Sequence, residues 1–439
     1  MLKEFQPVLK NRHFLYLWSS QVLSLLTIHI MNFVLLTRLF ERTGSTVATS
    51  LLWIAYALPA VLVGPFAAAL VDVRDRKQIL IVANLVQSLI ILTYALSHQA
   101  TFFFLYAVVF VYSFLNQFYI PAESASLPSL VTKEFYTQAN SLFFMTQHAS
   151  LMIGFAFGGV LLHFLGFSRA LFVCASFVFI AFLCVLFLPK LPVSPGHLEI
   201  LDQVSRNVFR RIGKGYSFIT KNRRVLAPFF LLLSFQISVA VIIVNLPALA
   251  QDVWKISTAL AGPYIVVPAA VGAMLGAAVL PRLISRGWRK RKVIETSLLT
   301  SGILVFALLF LFPQIPNPFR VLVGLVLTMV LGMAFVGMTV PSQTIMQEAT
   351  PLELRGRVFG NFSFLVNVTG IVPIIFSGTI AHFFGIRTLF SLLGIGCLGV
   401  FLFARKLGQT FGSPHSPRRD SLPGPGREDG KSPIREIRR

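Results

Sequence analysis

Hydrophobic positions along this chain do not alternate with polar ones. They come in runs of about twenty residues, separated by polar breaks. Twelve such runs stand near 14–37, 49–71, 79–97, 101–120, 139–164 and 169–188, then 226–250, 260–284, 293–312, 319–341, 358–383 and 386–404. A hydrocarbon layer about 30 Å thick takes roughly 20 residues of α-helix to cross. Lipid offers no partner to an open backbone group, so each run is expected to be a helix. The pattern predicts an all-α integral membrane protein with twelve transmembrane helices.

The breaks are not equivalent. Of the 38 Lys and Arg, 32 fall in the N-terminal arm, every second connection and the C-terminal tail. The other side holds Arg38, Arg42, Arg169, Lys255, Arg320 and Arg387. Bases gather on the cytoplasmic side of membrane proteins, which predicts that both termini are cytoplasmic in a plasma membrane. The net charge of +22 is then topology plus contact with an anionic inner leaflet, and no nucleic-acid partner is expected. Nothing before the first run resembles a cleavable signal. Two segments stand outside the pattern. Residues 189–225 form a basic connector, expected to lie on the bilayer as an amphipathic helix, and the Pro-, Gly-, Ser- and Arg-rich tail 406–439 is expected to be disordered.

The chain also repeats itself. "GGVLLHFLGFSRALF" from Gly158 aligns with "SGTIAHFFGIRTLF" from Ser377, so that Gly159, His163, Phe164 and Gly166 match Gly378, His382, Phe383 and Gly385 at an offset of 219. Six runs separate the copies, an even number, so the two halves point the same way. The expected architecture is two parallel six-helix repeats, 1–188 and 226–405. Parallel repeats occur in transporters whose halves rock about a central site.

Composition agrees, with 55% hydrophobic and 12% charged residues, about half the charge of a soluble domain. The three cysteines fall in apolar runs and read as buried thiols. A phosphate-binding glycine loop with its lysine, a His-Glu metal cluster and a glycine-flanked nucleophilic serine are all missing, so neither an enzyme nor a cofactor is expected. The expected state is a monomer.

One break is unusually dense. "DVRDRK" carries Asp72, Arg74, Asp75, Arg76 and Lys77. The bases fit their side of the membrane. Asp72 does not, because a carboxylate closing a helix opposes the helix dipole. The mirror conflict stands in "EATPLELRGRVFG", where Arg355 and Arg357 open the eleventh run at a helix N-terminus. The two conflicts would relieve one another in contact. This predicts a conformational latch between Asp72 and that N-terminus.

The same residues carry a resemblance. "DVRDRK" is similar to the loop-2/3 signature of the major facilitator superfamily, with Ala68 where the family has glycine and Val73 where it has arginine. The resemblance implies a latch role for Asp72, Arg74, Asp75, Arg76 and Lys77. "PAESASLPSLVTKEFYTQAN" and "PSQTIMQEATPLELRGRVFG" resemble the enterobactin-exporter and macrolide-efflux group. "GFAFGG" (Gly154, Gly158, Gly159) is similar to the glycine motif of exporters in their fifth helix, without its usual proline. Read physically, glycines at this spacing let two helices approach closely.

Polar side chains within spans face the protein interior and line either a pathway or a helix contact. The candidates are His29, Asn32, Asn116, Gln117, Gln147 and His148 in the first half. The second half offers Gln236, Asn245, Gln343, Gln347, Asn361 and Asn367. No acid is expected deep in a span, since Asp72, Glu123, Glu295 and Glu348 all read as cytoplasmic ends. That leaves His29 as the candidate for proton coupling, because imidazole titrates near neutral pH. It also favours an amphipathic or apolar substrate over a strongly ionic one. The leading expectation is export of an amphipathic small molecule by alternating access. The alternatives are a carrier of lipid-like molecules, an uncoupled facilitator, or a transporter-shaped sensor or scaffold.

Overall fold

The structure is a computed structural model and describes residues 2–97, 102–190, 217, 219, 220 and 222–410. A short helix, Leu2–Leu9, precedes twelve long ones. The first six are α1 Arg12–Thr43, α2 Thr46–Val73, α3 Arg76–Leu96, α4 Phe102–Leu130, α5 Tyr136–Leu165 and α6 Phe167–Leu186. The second six are α7 Arg223–Val244, α8 Val267–Ser285, α9 Lys290–Phe306, α10 Asn317–Ala349, α11 Leu352–Phe384 and α12 Ile386–Thr410. Among the described residues, ten helical segments are long and apolar enough to cross a bilayer, and shorter apolar stretches lie in α11 and α12. Most of the connector and most of the tail lie outside the described residues.

Helix boundaries follow local chemistry. Asn11 caps α1, its side chain accepting from the backbone N–H groups of His13 and Phe14 at 3.1 and 3.2 Å. Gly44 ends α1 at a φ of 62°, and Ser45 caps α2 by accepting from Ala48 N at 3.3 Å. Asp75 caps α3, accepting from Lys77 N at 2.9 Å. One aspartate of the dense break therefore has an ordinary local use. The other, Asp72, falls in the last turn of α2 with its side chain outside the described residues.

The internal repeat is visible as repeated contacts. In the first half α1 packs on α5, α2 on α4, and α3 on both α4 and α6; in the second, α7 packs on α11, α8 on α10, and α9 on both α10 and α12. The bases that open α3 and α9 also act alike. Arg76 Nη1 donates to Ala125 O in α4 at 2.8 Å, and Lys77 Nζ donates to Leu186 O at the end of α6 at 2.9 Å. Their counterparts are Lys290, paired with Glu348 of α10, and Arg291, whose Nη2 donates to Arg405 O of α12 at 3.3 Å. Gly166 and Gly385 turn the chain between α5 and α6 and between α11 and α12, at φ values of 79° and 83° that favour glycine. Beside them the exposed His163 and His382 each stand edge to face with the next residue, Phe164 and Phe383, so the repeat extends to this local geometry.

Four expected boundaries shift. The fourth and tenth runs were expected to end near residues 120 and 341, yet α4 continues through Pro121 and Pro128 to Leu130, and α10 through Pro341 to Ala349. Glu123 and Ser126 in the first extension and Ser342 in the second are buried, and this packing holds the proline-interrupted backbone in place. The seventh span breaks at Asn245 into a short helix, Leu246–Ala248, and a π-turn, Leu249–Trp254. The eighth opens with a 3-10 turn, Thr258–Leu260, and a π-turn, Gly262–Val266. The cysteines are free, with Cys174 buried and Cys184 and Cys397 only half-buried, which corrects the expectation for the last two.

Among the described residues the halves share a buried apolar cluster at one end only. Call the face where α1 begins the near face and the other the far face. A far-face cluster draws Phe33, Phe40 and Phe155 from the first half together with Val241, Leu246, Trp254 and Phe312 from the second. The near-face clusters do not mix. One holds Phe14, Leu17, Leu80 and Phe143, and another Val225, Phe229, Met346 and Val358. Far-face polar contacts cross as well: Thr46 Oγ1 donates to Gly378 O at 2.7 Å, and Thr258 donates to Glu41.

Candidate functional site

Backbone closeness on the far face comes from the glycines. A Cβ at Gly154 would stand 2.5 Å from His29 Cβ, and one at Gly158 would stand 3.2 Å from Phe33 Cδ1, so these two seat α5 on α1. Gly159 instead faces the other half, where a Cβ would stand 2.8 Å from Pro263 Cδ and overlap Ala259 O. Gly262 approaches the Phe155 carbonyl, and Gly378 approaches Thr46 and Ser50. The far face is closed by residues with no side chain in the way.

Toward the near face lies a cavity of about 920 Å³ whose lining comes from α1, α4 and α5. Apolar wall is supplied by Leu25, Ile28, Ile120, Leu127, Phe143 and Phe144. Amides converge from Gln21, Asn116, Asn140 and Gln147, hydroxyls from Ser24 and Tyr136, and one carboxylate from Glu123. This mixture of apolar walls and a few placed polar groups suits a small molecule with an apolar body.

Glu123 corrects the expectation that it ends a span. It sits inside α4, two turns before that helix ends, and is 5% exposed. Tyr119 Oη donates to its Oε1 at 3.0 Å. The same Oη lies 3.1 Å from Ser20 Oγ, which accepts from Asn84 Nδ2 at 3.2 Å, while Ser24 Oγ donates to Asn84 Oδ1 at 3.3 Å. A polar network thus joins α1, α3 and α4 beside the cavity. The sequence signal for it was Glu123 one helical turn after Tyr119. Pro121 between them hid it by imitating a helix end.

The other sequence candidates scatter. Asn116 and Gln147 come together in the lining. His29 and Asn32 lie beyond the cavity lining. His29 packs against Phe155 with an unpartnered, buried Nε2, and Asn32 is buried. Gln117 donates to Ser113 O at 3.1 Å within α4. Asn245 is fully buried and donates to Ser377 Oγ at 3.1 Å, a cross-link between the seventh span and α11. Gln236 is half-buried on α7, and Gln343 and Gln347 are exposed on α10. Arg74 is exposed after α2. The side chains of His148, Arg355, Arg357, Asn361 and Asn367 lie outside the described residues, as does that of Asp72.

Two like helical halves, packed on each other at one face, with a polar-lined cavity in the first half toward the other face, have the build of a multi-pass membrane carrier. Comparison with known proteins gives the family. The model of the Major Facilitator Superfamily matches residues 17–373 and 288–439, and the chain belongs to that superfamily, whose members are transporters and not enzymes. Macrolide efflux protein A of Streptococcus pyogenes is 23% identical over 405 residues, covering 88% of this chain and 94% of that protein. The multidrug efflux pump Tap of Mycolicibacterium fortuitum is 26% identical over 387 residues, covering 82% and 88%. Among solved structures, a bacterial homologue of the iron transporter ferroportin in its inward-facing state superposes with a TM-score of 0.68 at 15% identity, over 90% of this chain and 98% of that one. That likeness concerns the fold.

Proposed function

We propose that this protein exports amphipathic small molecules from the cytoplasm across the plasma membrane, the halves 1–188 and 226–405 alternating access about the cavity. The observation that carries the reading is the cavity itself, apolar-walled and amide-bearing, on the side where the two halves keep separate cores. The excess of Lys and Arg on the near side makes that side cytoplasmic, so the cavity would load from within the cell. Efflux proteins among the relatives support the outward direction. Asp72, with Arg355 and Arg357, is the proposed latch of the near face, and Arg74, Asp75, Arg76 and Lys77 hold its approach.

The test is efflux of a panel of amphipathic dyes and antibiotics from cells expressing the protein, with and without a protonophore. Export predicts that some compounds leave faster than from control cells. Collapse under the protonophore would establish proton drive and make His29 and the buried Glu123 the first coupling residues to replace. Persistence would mean uncoupled movement, and no compound leaving faster would overturn the export reading.

A further inference from the structure

We propose that Glu123 is a cation-binding subsite of this cavity and that it selects amphipathic molecules carrying a protonated amine. The inference rests on the export reading for its biological use, while the binding chemistry stands on the geometry of α1, α3 and α4.

Among the described residues Glu123 is the only acid in the cavity lining, and it is 5% exposed. Its Oε1 is held by Tyr119, which is itself fixed through Ser20 and Asn84. Its Oε2 has no hydrogen-bond or ion-pair partner among the described residues. The two ion pairs found there, Lys290 with Glu348 and Arg291 with Glu295, both belong to the other half. Arg76 approaches the same helix from α3 but gives its Nη1 to Ala125 O at 2.8 Å. A carboxylate taken out of water without a counter-charge is costly unless a proton or a cation occupies it. The cavity leaves room for the cation to arrive with a substrate.

The surroundings fit the rest of such a molecule. Phe143, Phe144 and Tyr136 offer aromatic surface near a positive head group, which aromatic faces attract. Leu25, Ile28 and Ile120 offer apolar wall for a hydrophobic body. Gln21, Asn116 and Gln147 carry no charge, so they can orient a ligand without choosing its sign. Sign selection falls to Glu123. The expectation that this interior disfavours charged substrates is thereby narrowed: it disfavours anions and accepts a cation.

A purely structural role for the Glu123–Tyr119 bond makes a different prediction, because its loss would weaken the fold and affect all ligands alike. The discriminating experiment uses two dansyl probes of one length, the dansyl amide of diaminopentane and the dansyl amide of aminopentanol. Their equilibrium binding to the purified full chain is followed by fluorescence. The wild type should bind the amine about tenfold more tightly than the alcohol, because the ammonium adds its own charge to the hydrogen bond that a neutral hydroxyl could also give the carboxylate. Glu123→Gln keeps the shape and an acceptor for Tyr119. It should bring the amine to the affinity of the alcohol and leave the alcohol unchanged, which also serves as the folding control. Glu123→Asp should keep part of the preference. Equal binding of both probes by the wild type, no binding of either, or an amine preference that survives Glu123→Gln would overturn the inference. Everted vesicles that bind the amine through Glu123 but accumulate no amphipathic compound would overturn the export reading and leave the subsite standing.

Discussion

Asn245 and Glu123 are both polar residues buried within membrane helices, and their surroundings give them different work. Asn245 is enclosed on all sides, with Nδ2 donating to Val241 O at 2.9 Å and to Ser377 Oγ at 3.1 Å. It holds α11 to the kinked end of the seventh span. Asn245→Ala should therefore cost about 1 kcal/mol, in line with hydrogen bonds between membrane helices. The expected result is a lower melting temperature in detergent with an unaltered substrate range, and a changed range at unchanged stability would refute the packing role. Glu123 instead stands at a cavity wall. Residue type marked Asn245 for burial with a partner and placed Glu123 at a span end. It did not announce whether the partner is another helix or a ligand, because that depends on what the neighbouring helices leave empty.

Among the elements, α3 and α9 carry the clearest logic. Each opens with a pair of bases aimed at the ends of the two helices beside it. Lys77 reaches the carbonyls of Leu186, at the end of α6, and of Leu188 just past it, where the helix dipole favours a cation. Replacing Lys77 by Met should cost about 1 kcal/mol by exposing those carbonyls and removing the charge. The check is thermal unfolding beside Arg74→Met, whose exposed side chain should matter less; equal losses would argue against the capping role. The sequence located these bases and assigned their side of the membrane. It also marked the halves through the Gly166 and Gly385 turns. It stopped α4 and α10 too early, because Pro121 and Pro341 with polar neighbours imitate helix ends. In the folded chain the extensions lie against other helices, and packing keeps them helical where propensity alone would not.

At the scale of the molecule, the far face is shut by backbone contact. A side chain at Gly378 would meet Thr46 O at 2.6 Å and the Ser50 hydroxyl, across the contact between α2 and α11. Gly378→Val should hold the far face open and close the near one. In a protein whose native thiols are replaced, a cysteine introduced at Gln147 should then react more slowly with thiol reagents applied from the near side. The proposed latch predicts the opposite for Asp72→Asn, which should speed labelling at the same position. Identical labelling rates in both variants and the parent would remove both contacts from the conformational cycle.

The sequence by itself determined the class of the molecule. Apolar runs as long as a bilayer is thick allow only helices in lipid, the basic breaks carry the proposal for their direction, and the repeat makes two like halves. Each of these follows from local composition and spacing. Tertiary structure alone decided the site. Gly159, Gly262 and Gly378 close the far face because helices distant in sequence come together there, and Gln21, Ser24, Tyr119, Glu123 and Asn140 share one cavity for the same reason. The hydrophobic pattern that drives a helix into lipid is nearly the same all round it. It does not record which face meets a neighbour and which meets a void, and the void is where a substrate would bind.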